Sequence, residues 1–381
     1  MLLLELTEGK RVAASDQSTK DLLKKGHFGA VEGGTLYLEP EEALYLVDVR
    51  NARCTQNRRA IGFNELAERV GASMAKYFTY KDWRERGLII KKSTSVRPWQ
   101  GGRISTVKYP ASEQKLKTRS ISGMFFPRDL TTIIDDQKVG KEIYEQNWFG
   151  QYGTYKLGDR GALNKLDIFE TVFLIDAGVL KTNLSRSEIV GIAEKRRGDF
   201  QKLYDVYADW RGKGYVVKTG FKFGTHFRLY FPGAKPNSAD DNWVHSKHVI
   251  QVFPRDVKLL TSEWARAIRV AHSVRKTFIL AIPGKSRSKR MEIDFLLYHR
   301  KPGDIETPEK DSPKYAMLSL GEDEYIGGAE LSAVIAEAKS KRLELVVAIA
   351  DRETAVTFYK VKKVELPKSD YEYYEIDWMQ P

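Results

Sequence analysis

Tyr77-Phe78-Thr79-Tyr80-Lys81-Asp82-Trp83-Arg84 and Tyr204-Asp205-Val206-Tyr207-Ala208-Asp209-Trp210-Arg211 are two versions of one stretch. The offset of 127 continues through Gly87/Gly214, Ile89/Val216, Ile90/Val217 and Lys91/Lys218. Upstream, Glu42-Ala43-Leu44-Tyr45-Leu46-Val47-Asp48 parallels Glu170-Thr171-Val172-Phe173-Leu174-Ile175-Asp176 at offset 128, one insertion away. Residues 34–92 and 162–218 therefore read as two copies of a small N module. Each has apolar-periodic helices and a short β-branched strand after a Gly turn.

A second repeat, at offset 67, sets Glu263-Trp264-Ala265-Arg266-Ala267-Ile268 against Glu330-Leu331-Ser332-Ala333-Val334-Ile335. It also sets Phe278-Ile279-Leu280-Ala281-Ile282 against Leu345-Val346-Val347-Ala348-Ile349. Each copy of this C module reads as strand, helix, strand, strand. The predicted first strands are Val249–Phe253 and Ala316–Leu320, with helices near 262–276 and 329–343. Phe278–Ile282 and Leu345–Ile349 are apolar enough for strands buried on both faces. Met291–Tyr298 and Ala355–Val361 alternate and read as edges. The fold class is α/β, in a mixed α+β form, with duplicated N modules and duplicated C modules of nuclease-like pattern.

The predicted order is an N-terminal structural module (1–95), a basic connector (96–130), the N module of the catalytic unit (131–218), a catalytic C module (219–300) and a structural C module (301–381). Residues 91–120 carry eight Lys/Arg against the single acid Glu113. Such a stretch is a solvated linker or a polyanion-binding arm, and the linker is favoured because charge runs are usually solvated.

A length of 381 residues with 42% apolar and 30% charged residues fits a chain of several cores and excludes a disordered one. The formal charge of +12 favours a polyanionic partner. Cys54, the single thiol, excludes an intrachain disulfide and a Cys-rich zinc site and suits a reducing compartment. Met1-Leu2-Leu3-Leu4-Glu5-Leu6 is too short for a signal segment, and no apolar run approaches the ~18 residues of a membrane span. A soluble, cytoplasmic protein is expected.

The two C modules differ where chemistry would be carried. Gly220-Phe221-Lys222-Phe223-Gly224-Thr225-His226-Phe227-Arg228-Leu229-Tyr230 has no equivalent in the second copy. His245 faces Ser312, and Lys276 faces Leu343, whereas Ser273/Ser340 and Arg275/Arg342 match. One working copy and one structural copy would produce this pattern.

The stretch 214–230, then His245-Ser246-Lys247, then Arg269-Val270-Ala271-His272-Ser273-Val274-Arg275-Lys276 resemble the catalytic subunit of the archaeal tRNA-splicing endonucleases. The arrangement, with an extra N module in front and an extra C module behind, resembles the fused form of ultra-small archaea. The resemblance implies excision of introns from precursor tRNA at a bulge–helix–bulge. It implies attack by the ribose 2′-OH without a metal or other cofactor, leaving a 2′,3′-cyclic phosphate and a 5′-OH. It assigns catalysis to Tyr230, His245 and Lys276.

The chemistry asks for removal of the 2′-OH proton, protonation of the leaving 5′-oxygen and neutralisation of the phosphorus oxygens. Lys276 suits the last role as a point charge and His245 the leaving-oxygen acid. Tyr230 is the base in the family's usual description, although ionising a Tyr at pH 7 costs about 4 kcal/mol. In the other assignment Tyr230 orients the 2′-OH and His245 takes its proton.

The resemblance also makes Arg269 an RNA-binding residue that grips a bulged adenine of the opposite site, with Arg300 as its clamp partner. Planar guanidinium stacking on an unpaired base supports such a role. Lys156, in Asn147-Trp148-Phe149-Gly150-Gln151-Tyr152-Gly153-Thr154-Tyr155-Lys156, sits in a segment with no counterpart in the first N module and suits either RNA contact or core packing. Asp351 and Glu353 form an acidic loop where the catalytic copy reads Lys285–Arg290. In the family such a loop plugs a basic site on a neighbour, so the expected partners are precursor tRNA and a second copy of the chain, with no membrane. Two other classes stay open at this point, a non-catalytic RNA-binding or scaffold subunit and a metal-dependent DNA nuclease. The latter needs paired carboxylates and a hairpin Lys. The chain has no Pro-Asp dipeptide, and Glu337-Ala338-Lys339 falls on a predicted helix.

Overall fold

The computed structural model describes residues 1–94, 104–112, 116, 120–154, 160–236, 245–284 and 291–381. Its centre is an 11-stranded sheet. Ten strands follow in the order Val216–Thr219, Phe227–Tyr230, His248–Val252, Thr277–Ile282, Glu372–Met379, Val356–Glu365, Glu344–Ala350, Tyr315–Gly321, Phe295–Tyr298 and Ile89–Lys92. The eleventh, Thr106–Lys108, runs parallel to Lys363–Glu365.

The sheet has twofold pseudosymmetry about the antiparallel pair Glu372–Met379 and Val356–Glu365. His248–Val252 is parallel to Thr277–Ile282, as Tyr315–Gly321 is to Glu344–Ala350. Helices Thr261–Ser273 and Gly328–Ser340 cover one face, where Trp264, Ile268, Leu331, Val334 and Ile335 share a core with the sheet. The two N modules pack on the other face, against Phe295, Met317 and Phe358 in one half and Leu229, Ile250 and Ile279 in the other.

This arrangement corrects the strand assignments. Met291–Tyr298 and Ala355–Val361 are not edges, because both faces are covered and Phe295, Leu296, Leu297 and Tyr298 are all buried. Phe295–Tyr298 leaves the copy it follows in sequence and pairs with Tyr315–Met317, where Phe227–Tyr230 pairs with His248–Ile250. Tyr298 is thus the counterpart of Tyr230, and the segment ending at Tyr230 does have an equivalent. His245 and Lys276 remain unmatched. The third strand of the first copy is the C-terminal Glu372–Met379, which the repeat pattern had not revealed.

Each N module contains a sheet that the helix-centred reading missed. Leu3–Leu6 lies parallel to Arg53–Gln56, and Ile121–Phe126 lies parallel to Leu180–Thr182. Matching polar devices hold the two copies. Lys91 Nζ meets Glu42 Oε1 at 3.0 Å, and Lys218 Nζ meets Glu170 Oε1 at 2.5 Å. All four are buried, so each charge is stable only with its partner present. Arg84 donates to the Gly26 carbonyl and stacks on Phe28; Arg211 donates to the Asn147 carbonyl and stacks on Phe149. Gly26–Gly29 is therefore the counterpart of Asn147–Gly150, which corrects the reading that this segment begins without one.

The connector is also not a solvated linker where it is described. Residues 104–112 lie along the central sheet. Tyr109 is buried, donates to Glu375 Oε1 at 2.6 Å and packs edge-on against Trp210 and His248. Tyr215 donates to the Pro110 carbonyl at 2.5 Å. The count of basic residues hid one aromatic anchor. Ile121–Phe126 lies inside the range assigned to the connector and is the counterpart of Leu3–Leu6.

Candidate active site

The hairpin Val216–Thr219/Phe227–Tyr230 is antiparallel, with Val216 opposite Tyr230. Phe227–Tyr230 in turn runs antiparallel to His248–Val252, with Leu229 opposite His248. The end of the first strand and the start of the second therefore share one end of the sheet. Thr277–Ile282 starts there too, with Thr277 beside His248. Tyr230 closes one strand, and His245 and Lys276 precede the other two. Strand direction alone delivers all three to the same sheet end.

They line one cavity of about 500 Å³. Tyr230 is 5% exposed, His245 is exposed and Lys276 is half-buried. Trp148 packs on the Tyr230 ring with centroids 4.6 Å apart, and the Arg228 guanidinium lies 5.7 Å from the ring centre. Lys276 Nζ donates to the Ser246 carbonyl and to Ser246 Oγ at 3.0 Å, and it stands 4.5 Å above the Phe223 ring. This ties the ammonium to the backbone beside His245. Burial, and then the charge of Arg228, hold the Lys276 ammonium below the usual lysine range. Arg228, Lys222 and Lys276 make that wall cationic.

The opposite wall belongs to the second N module and includes Tyr144, Gln151, Lys165, Asp167, Glu170 and Lys218. Asp167 caps helix Ile168–Asp176 by accepting from the Glu170 amide. Burial first, and then the Glu170 carboxylate, push the Asp167 carboxyl up to about 7. Sequence reasoning quoted Trp148, Gln151, Arg228 and Ser246 within longer stretches but gave none of them a role of its own in the site. The repeated Glu42/Glu170 and Lys91/Lys218 carried the signal for the buried pair. His226 and His248 are both lowered to about 4 by burial. His272 packs with Nε2 3.2 Å from the Ile376 carbonyl.

The other candidates lie elsewhere. Arg269 is exposed on helix Thr261–Ser273 and does not line the cavity. Arg300 donates to the Arg86 carbonyl of the first N module, at the other end of the sheet. Lys156 and Lys285–Arg290 lie outside the described residues. Asp351 holds its own turn by accepting from the amides of Glu353 and Ala355, while Glu353 is exposed. Among the described residues no group of three or more His, Cys, Asp or Glu could hold a metal, and no helix is long and apolar enough to cross a membrane.

Comparison with known proteins identifies the family. Residues 4–67 match the tRNA intron endonuclease N-terminal domain. Residues 200–292, which contain Tyr230, His245 and Lys276, match the tRNA intron endonuclease catalytic C-terminal domain. The tRNA-splicing endonuclease of Methanopyrus kandleri is 39% identical over 140 residues, 35% of this chain and 74% of the relative. That of Thermococcus kodakarensis is 34% identical over 39% of this chain and 82% of the relative. That of Methanosarcina mazei is 26% identical over 77% of this chain and 98% of the relative. The short, more identical matches and the long, less identical one fit a chain assembled from duplicated modules. The chain belongs to the tRNA intron endonuclease family and is an endonuclease of tRNA splicing.

Proposed function

We propose that the cavity cleaves precursor tRNA at a bulge–helix–bulge by internal transesterification. The ribose 2′-oxygen attacks the adjacent phosphorus, the phosphorus–O5′ bond breaks, and the products are a 2′,3′-cyclic phosphate and a 5′-OH. His245 donates a proton to the departing O5′, Lys276 meets the charge on the phosphorus oxygens, and Tyr230 accepts the 2′-OH proton. In the alternative assignment Tyr230 orients the 2′-OH, and His245 takes its proton and delivers it to the departing O5′. The nucleophile comes from the RNA, so the step needs no metal-bound water. The observation that carries the reading is the convergence of Tyr230, His245 and Lys276 on one cationic cavity.

Two such sites are supplied by a homodimer in which the acidic loop of one chain, through Asp351 and Glu353, docks on the other. Arg269, Arg300 and Lys156 are proposed RNA contacts. The test is cleavage of a labelled bulge–helix–bulge RNA in EDTA by wild type, Tyr230→Phe, His245→Ala and Lys276→Ala, with the end groups identified. Cleavage should persist in EDTA, leave a cyclic phosphate and fall by ~10²–10⁴ in the variants. A 3′-hydroxyl product, or loss of activity in EDTA restored by Mg²⁺, would overturn the mechanism.

A further inference from the structure

Phe221 is 87% exposed, more than any other large apolar side chain among the described residues. Isolated exposed apolar residues are ordinary, so exposure alone decides nothing. Its setting does. Phe221 opens the 3-10 turn Phe221–Phe223 at the tip of the hairpin that carries Tyr230. Lys222 and Phe223, the next two residues, line the catalytic cavity, and Phe223 lies under the Lys276 ammonium at 4.5 Å. The one turn therefore directs two side chains into the cavity and one away from it, at its rim.

The tip is rigid. Phe223 N donates to the Gly220 carbonyl at 2.8 Å, Gly224 N to the Phe221 carbonyl at 3.2 Å and Gly220 N to the His226 carbonyl at 2.9 Å. Gly224 closes the turn at φ 64. A Cβ on Gly220 would come within 2.7 Å of the Thr225 carbonyl oxygen, so the tip has one tight way to close. The backbone that carries the Phe221 ring is thus ordered before anything binds. The next residue, Lys222, and the cavity's Arg228 and Lys276 suit a polyanion. A flat apolar ring beside cations is what stacks on an unpaired base and tolerates any base identity.

We infer that Phe221 is a stacking platform for one unpaired nucleobase of the substrate RNA, at the rim of the site that holds Tyr230, His245 and Lys276. This rests on the reading of that cavity as the cleavage site. The platform fixes the nucleotide next to the reacting phosphate without reading its sequence. Neither the second C module nor the first N module offers an equivalent, because Ile89–Lys92 and Phe295–Tyr298 pair across some 200 residues of sequence and are not joined by a short turn.

The test compares wild type with Phe221→Ala, Phe221→Leu and Phe221→Trp on a bulge–helix–bulge RNA and on variants of that RNA abasic at each bulge position in turn. An exposed residue can be changed without loss of fold, which thermal melting checks. Phe221→Ala should raise the half-saturating RNA concentration by about five- to a hundredfold, with little change in the single-turnover rate at saturation. Phe221→Leu should stay weak and Phe221→Trp should restore binding. At one abasic position wild type and Phe221→Ala should become equal. The inference is overturned if Phe221→Ala saturates like wild type, if Leu restores binding as well as Trp, or if no abasic position removes the difference. Failure of the cleavage-site reading looks different, since wild type itself would then not give cyclic-phosphate ends.

Discussion

Tyr230 and Tyr298 hold the same place in the two halves of the central sheet, Tyr230 opposite Val216 and Tyr298 opposite Ile89. One lines the candidate active-site cavity beside Trp148. The other is fully buried, its hydroxyl has no hydrogen-bond partner among the described residues, and burial pushes it up to about 12. Equal position with unequal surroundings gives the first prediction. Tyr298→Phe removes a hydroxyl that makes no bond, so cleavage is unchanged and stability is equal or slightly raised. Tyr230→Phe lowers the single-turnover rate by ~10²–10⁴. Rates and melting temperatures of the two variants, measured side by side, check this; equal rate losses would contradict it.

The buried pairs Glu170–Lys218 and Glu42–Lys91 predict matched penalties. Lys218→Met strands a buried carboxylate, and Lys91→Met does the same in the other half. Each should cost about 3–5 kcal/mol in denaturant unfolding. Only Lys218 lines the proposed cleavage cavity, so loss of cleavage by still-folded protein should follow Lys218→Met alone. Stability losses well below 1 kcal/mol would show that the pairs are not buried as described.

Asp167 gives a pH prediction. Its folded carboxyl titrates near 7, above the usual Asp value, because burial and Glu170 oppose ionisation. Between pH 4 and pH 7 the folded chain holds a proton that the unfolded chain has released. Wild-type stability therefore loses ground as pH rises through that window. Asn keeps the helix-capping oxygen without the charge. Asp167→Asn should be more stable than wild type at pH 8, and the difference should shrink as pH falls toward 4. A difference independent of pH would rule out a raised carboxyl.

How much of this the sequence carried depends on what each residue's signal was. The repeats at offsets 127 and 67 placed the helices and the buried central strands, because core periodicity survives divergence. His245 and Lys276 stood out because their duplicates became Ser312 and Leu343. Tyr230 was singled out for a wrong reason. Its counterpart is four residues of an exchanged strand, Phe295-Leu296-Leu297-Tyr298, too short to register as a repeat. Strand exchange is a property of pairing, which no single-chain pattern encodes, and Glu372–Met379 was missed on the same ground. Trp148 and Arg228 touch Tyr230 only through the fold. Tyr109 was masked by the eight cations around it.

Tyr109 supplies a further prediction. Its hydroxyl satisfies Glu375, a carboxylate only 9% exposed, and its ring fills a slot between Trp210, Phe231 and His248. Tyr109→Phe keeps the ring and leaves the carboxylate without this donor, at a cost of about 1–3 kcal/mol. Tyr109→Ala also empties the slot and should cost about 3–5 kcal/mol. Urea unfolding distinguishes these values from the near-zero effect that a solvated linker residue would give.

The acidic loop separates two carboxylates that sequence treats alike. Asp351 is spent on its own turn, accepting from the Glu353 and Ala355 amides, each at 2.9 Å. Glu353 is exposed, and the neighbouring Arg352 is drawn aside by Asp323 and Glu322. If the loop docks on a basic surface of a second chain, Glu353 is the contact and Asp351 its support. Glu353→Lys should then shift the chain from dimer to monomer in light scattering at micromolar concentration while leaving the melting temperature of the fold nearly unchanged. Asp351→Ala should weaken association through a loosened turn, and Asp351→Asn should largely restore it, because Asn still accepts from the same amides. A dimer unaffected by Glu353→Lys would place the contact elsewhere.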